Sequence, residues 1–119
     1  MTISWEDVAR FRERGQLFKH SKSSNIAYTD GIKWLVDGLG AYWLVNRIVA
    51  AQNRAAVKAA DFQIWRLDVF RDKRGMLTCY NKEANKVLVE QIGHTDFPIA
   101  EVTIYCVEAT IMLADEYLE

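Results

Sequence analysis

The spacing of apolar residues changes period once along this chain, near Asp61, and that change limits the folds open to it. From Asp61 onward the pattern alternates. Gln63, Trp65, Leu67 and Val69 fall on one face of an extended segment, and Ile64, Arg66 and Asp68 fall on the other. Four more strand-like stretches follow, at residues 76–80, 86–92, 102–106 and 110–113, with turn formers at 72–75, 81–85 and 94–98 between them. Before Asp61 the spacing is helical. Ser4 can cap a first helix that carries Trp5, Val8 and Phe11 and stops at Gly15. Thr29 or Asp30 can start a second, with Ile32, Leu35 and Val36 on its stripe and Gly38 and Gly40 as punctuation. A third runs from about Ala41 to Lys58, and its first half is apolar almost all round. Residues 17–27 have no periodicity and many turn formers, and read as a linker. Helices followed by strands predict an α+β fold: N-terminal helices packed on one face of an antiparallel sheet meander of four to five strands.

The mass available suits one domain over residues 1–119, since half of the 119 residues are hydrophobic and can close a core without staples. Fifteen basic residues against sixteen acidic ones leave no excess positive charge of the kind that marks a nucleic-acid binder. Glu6 and Asp7 stand where a secretory signal would carry cations. The longest nearly apolar run, residues 39–46, falls far short of the roughly 18 residues needed to span a bilayer. A cytoplasmic protein with no membrane partner is expected. Cys79 and Cys106 lie in strand-like segments with no Cys or His at ligand spacing, and fit that compartment as buried, reduced thiols.

No phosphate loop, dinucleotide fingerprint or nucleophile elbow is present, so no catalytic residue, metal or cofactor is assigned. His20 and His94 are the only histidines, and His94 with Asp96 reads as part of a turn. In that turn the Asp96 side chain is expected to accept backbone N–H bonds, while Pro98 holds Phe97 in an extended conformation. Among the aromatics, Trp43 and Trp65 fit a core. Tyr42 and Trp43 can also line a pocket, and Trp34 stands off the Ile32/Leu35 stripe as the first interface candidate. Arg47 interrupts an apolar helix and needs a partner, with Asp30, Asp37 and Asp68 available. A cleft that exposed Arg47, Asp30 and Asp96 together would hold a small ligand.

Four short motifs occur in order: Tyr28-Thr29-Asp30-Gly31, Gly40-Ala41-Tyr42-Trp43-Leu44, Phe62-Gln63-Ile64-Trp65-Arg66-Leu67 and Thr95-Asp96-Phe97-Pro98. Together they resemble a family of small uncharacterised proteins of bacteria, phages and plasmids, over residues 18–117. The chain departs from that pattern at residues 81–85, where relatives tend to have an Asp/Gly/Asn turn. The resemblance transfers no catalytic residue. It implies a small accessory protein carried by mobile elements.

The function expected is therefore non-enzymatic binding of a protein partner, in one version the inhibition of a host defence complex. The alternative is a small-molecule binder or enzyme with its pocket near Arg47, Asp30 and Asp96. Self-association as a homodimer would use Trp34 or an edge strand at Thr110–Leu113.

Overall fold

The structure is a computed structural model, and it describes residues 17–20 and 23–117, with side chains from Ile26 onward. The predicted first helix, residues 4–15, lies outside the described residues. The elements in chain order are strands β1 (Leu17–His20) and β2 (Ser23–Thr29), then helices α1 (Asp30–Leu39), α2 (Tyr42–Ala51) and α3 (Ala55–Lys58). Strands β3 (Phe62–Val69), β4 (Gly75–Tyr80), β5 (Lys86–Ile92), β6 (Glu101–Val107) and β7 (Thr110–Leu113) follow, and a 3-10 turn (Ala114–Glu116) ends the series. The class is α+β, as the change of period predicts.

Strand β3 shows why. Gln63, Trp65 and Leu67 are buried and their neighbours are not. Trp65 pairs with Cys79 of β4 on one side and Ile104 of β6 on the other, and Leu67 pairs with Leu77 and Val102. On β7, Ile111 lies beside Cys106 and Leu113 beside Ile104. Residues directly opposite one another share a face, so the alternation read along one strand repeats across the ladder. Ile32, Leu35, Leu44, Val45 and Ile48 of the helices belong to the same buried cluster as Trp65, Leu67, Leu77, Ile104 and Ile111.

The sheet is larger than expected. Among the described residues it has seven strands, in the order β1-β2-β7-β6-β3-β4-β5. Residues 17–27, read above as a linker, supply the two additional strands. They form an antiparallel pair with a register shift after Lys19, and β2 runs parallel to β7. Backbone pairing to β7 stabilises β2, including Ala27 N–H donating to the Ala109 carbonyl at 2.9 Å. The sequence signal there is only the alternation of Ile26 and Tyr28, of which Ile26 is in the core and Tyr28 packs against it. The parallel pair also makes the sheet mixed instead of a plain meander.

Two further boundaries shift. The predicted long third helix is two helices, because the amides of Gln52, Asn53 and Arg54 bond three residues back, to Val49, Ala50 and Ala51. Arg54 then turns extended (φ −82°, ψ 133°) and starts α3. Helix α1 ends as predicted at Gly40, whose φ of 65° is left-handed and is open to glycine without strain.

Candidate functional site

The residues singled out from the sequence do not converge. Asp30 is buried in the first turn of α1, and its Oδ2 has no hydrogen-bond partner. Arg47 reaches from α2 to Glu90 of β5, with Nη1 2.9 Å from Oε2. Helix α1 continues directly from β2, and β2 and β5 are five strand spacings apart, roughly 24 Å. Asp30 therefore stands at the β2 side of the sheet while the Arg47 guanidinium is held at the β5 side by Glu90, so the two charged groups do not meet in one pocket. Asp96 is 87% exposed and sits 3.3 Å from His94 Nε2. Its predicted turn role falls to Thr95 instead, whose Oγ1 accepts the Phe97 N–H at 3.1 Å while both residues are buried. Trp34 and Trp43 pack partly buried against the core, and Tyr42 is half-buried at the start of α2. Thr110–Leu113 is not an edge: β7 lies between β2 and β6.

The motif around Asp30 has a structural cause instead. Thr29 stands at the N-cap of α1, yet its side chain does not cap the helix. The Glu116 carboxylate does so from 85 residues away, accepting the Gly31 N–H at 3.2 Å on Oε2. Its Oε1 accepts the Thr29 hydroxyl at 2.6 Å and the Leu113 N–H at 2.9 Å. A carboxylate at a helix N-terminus satisfies an orphan donor and suits the dipole there. Gly31 makes room for it: a Cβ at that position would lie 2.4 Å from Glu116 Oε1.

The third motif encodes a buried polar network. Gln52 and Gln63 exchange a reciprocal pair of amide hydrogen bonds, each 2.8 Å. Gln63 Oε1 also accepts from Trp65 Nε1 at 3.0 Å, and Gln63 Nε2 donates to the Val57 carbonyl at 3.1 Å. Gln52 Nε2 donates to Ile48 O at 3.0 Å. This network ties the end of α2 to β3 and leaves Gln63 fully satisfied, so its role is to fix the frame.

Beside the network opens a cleft of about 560 Å³, bounded by the end of α2, the α3–β3 joint and the β6–β7 turn. Polar side chains from Asn53, Lys58, Asp61 and Glu108 line it, with Ile26 and Val49 as apolar walls. Asp61 and Glu108 also line a neighbouring cleft of about 450 Å³. At the tip of the β6–β7 turn Glu108 and Ala109 have φ of 50° and 61°. Consecutive left-handed residues suit a tight hairpin, but that geometry favours Asn and Gly, so here the backbone is strained.

The face of the sheet opposite the core residues carries a different surface. Phe62, Tyr105 and Tyr117 meet edge to face, with ring centroids 5.0 Å apart from Phe62 to each tyrosine and 5.8 Å between the tyrosines. Ile64 pairs with Tyr105 and Tyr80, and Met112 with Tyr105. In the middle of this face Arg66 binds Asp68 at 3.0 Å and Glu101 at 2.6 Å. The hydrogen bond to Asp68, with both carboxylates adding their charge, raises the guanidinium pKa above its ordinary value. Val89 lies opposite Thr78, which lies opposite Arg66. Phe70 continues the alternation of β3, its N–H donating to Arg74 O at 2.8 Å. Phe70 and Val89 are 48% and 47% exposed, the large hydrophobic side chains left open among the described residues.

No catalytic group emerges from the thiols. Burial pushes Cys79 up to about 12 and Cys106 up to about 11, so both stay protonated and unreactive at neutral pH. Among the described residues no three His, Cys, Asp or Glu side chains could hold a metal ion, and no helix is long and apolar enough to cross a membrane. Sequence reasoning missed Phe70, Val89, Glu108 and Asp61. Phe70 and Val89 could have been found by continuing the alternation from β3 and β5. Glu108 carries no signal of its own, because nothing in Val107-Glu108-Ala109-Thr110 marks a turn. No curated protein and no solved structure gives a significant match to the chain. The model of a family of unknown function, DUF6876, matches residues 2–117, and the chain belongs to that family.

Proposed function

We propose that this protein is a non-enzymatic binding module that recognises a protein partner through the sheet face bearing Phe62, Tyr105 and Tyr117. In this reading helices α1 to α3 cover the core side of the sheet, and the other side is left to the partner. The carrying observation is that Val89, exposed and apolar, lies in register with Thr78 and Arg66 on that face, and that Phe70, also exposed, continues the alternation of β3 from the same side. Apolar side chains grouped on one surface mark interaction sites, whereas singly scattered ones do not. Aromatic anchors around a central Arg–carboxylate group fit the composition of binding hot spots. The near-neutral charge favours a protein over a nucleic acid, and two buried unpaired thiols suit a reducing, cytoplasmic setting. In its most specific form the module is a mobile-element accessory protein that occupies the surface of a host defence complex. That task needs a surface and no chemistry.

The test is affinity capture from lysate of the native host, with wild type, a Phe70→Ser/Val89→Lys double variant and Asp37→Ser on α1 as control. The expected result is one or a few partners in near-stoichiometric amount, lost at least tenfold with the double variant and kept by the control. Retention unchanged by the double variant, or an empty capture by folded protein, would remove the reading. A housekeeping partner would remove only the defence-inhibitor form. A second copy of this chain as the partner would make the face a homodimer interface.

A further inference from the structure

The 560 Å³ cleft beside the Gln52–Gln63 network lies within the size range of small-molecule sites, and its lining restricts what could fill it. Its rim carries ions of both signs: Lys58 against Asp61 and Glu108. Among the described residues none of the three makes an ion pair, whereas Lys33, Arg47, Arg66 and Arg74 each have a carboxylate partner. A ligand that filled the cleft would take water from all three. Desolvating a charge is unfavourable unless the ligand returns an opposite one. A neutral sugar would return none. An anion would meet two carboxylates, and a divalent cation would lack a third acidic, His or Cys ligand among the described residues. A molecule with both signs matches the rim at all three charges. Its body would meet Ile26 and Val49, which are apolar, and the Asn53 amide, which suits a peptide group.

The two structural oddities of the region fit such a site. The saturated amide network holds the end of α2 rigidly over the cleft. The strained Glu108–Ala109 turn stands at its lining, and backbone strain of this kind concentrates at ligand clamps. We propose that the cleft binds a short zwitterionic peptide, its ammonium between Glu108 and Asp61 and its carboxylate at Lys58. This site is separate from the sheet face described above and stands or falls without it.

The probe is alanyl-leucyl-alanine, titrated into the ¹⁵N-labelled protein and followed by amide chemical shifts. Expected are saturable shifts at Asn53, Ala60, Glu108 and Ala109. N-acetylation of the probe, or amidation of its carboxylate, should each weaken binding at least tenfold. Glu108→Gln and Lys58→Gln should each weaken it at least fivefold; both side chains are exposed, and an unchanged spectrum elsewhere would confirm that the variants fold. Absence of saturable shifts, or equal binding of the blocked peptides, would overturn the proposal. So would binding that needs only the ammonium, which would make the cleft a plain amine site.

Discussion

Gly31 is where one missing methyl decides how two distant parts of the chain meet. Its bare Cα lets Glu116 approach the start of α1 and accept three hydrogen bonds. Gly31→Ala would drive a Cβ to 2.4 Å from Glu116 Oε1 and 2.7 Å from Leu113 Cδ1. The carboxylate would have to leave, and hydrogen bonds to a charged group would go with it, a loss of about 2–3 kcal/mol. In a Glu116→Ala background the same substitution should cost clearly less, because only the contact with Leu113 remains. Urea denaturation of the four members of that cycle measures the coupling. Additive losses would mean that Glu116 and Gly31 do not act through each other. The Tyr-Thr-Asp-Gly motif invites a reading as ligand chemistry, and in the structure its Thr and Gly serve this junction.

At the scale of elements, the β6–β7 hairpin is the one most at odds with its own sequence. Ala109 holds a φ of 61°, a conformation that disfavours an L side chain by about 1–2 kcal/mol. Glycine relieves that strain at some cost in chain entropy. Ala109→Gly should therefore stabilise the fold by about 0.5–1 kcal/mol, seen as a higher urea midpoint at unchanged slope. A lower midpoint would show that the methyl packs favourably enough to outweigh its backbone. The same hairpin shows what sequence can and cannot reveal. Strands β3 to β7 were legible because each alternates over enough residues to declare a face, and α1 because its stripe and Gly40 bracket it. Strands β1 and β2 were not, because pairing with β7 supplies what their residues do not encode. The break after α2 was hidden in an Ala-rich run, since no Gly or Pro marks the backbone turn at residues 52–54 that makes it. The candidate surfaces were less legible still. Trp34, the expected interface candidate, packs partly buried against the core and Arg47 pairs with Glu90, while the open face and the cleft arise only when separate strands are laid side by side.

The whole molecule can be probed through its two thiols, which lie in the core on strands flanking β3. Burial raises Cys79 to about 12 and Cys106 to about 11, from an ordinary value of 9.0. The native state thus keeps both thiols protonated at a pH where the unfolded chain ionises them. Their contribution to stability is complete below about pH 9 and is lost as pH rises through 11 to 12. Ellman's reagent at pH 8.5 should label neither thiol in the native protein and both in urea, with the native rate set by opening of the core. Rapid native labelling of either would show that its strand opens locally. The urea midpoint should also fall between pH 9 and pH 11, and by less in a Cys79→Ala/Cys106→Ala variant that folds.

The position of β7 has a consequence for how the protein is made. Among the described residues that strand, between β2 and β6, is the only one that joins the β1-β2 pair to the β6-β3-β4-β5 ladder within the sheet, and Glu116 just after it closes the start of α1. Strand β7 is the last strand of the series to be synthesised, after both parts of the sheet that it joins. The emerging chain must then hold two partial sheets apart, each with an edge exposed where β7 belongs. Until residues 110–116 take their place, the chain carries two open seams of the kind that invite pairing with another chain.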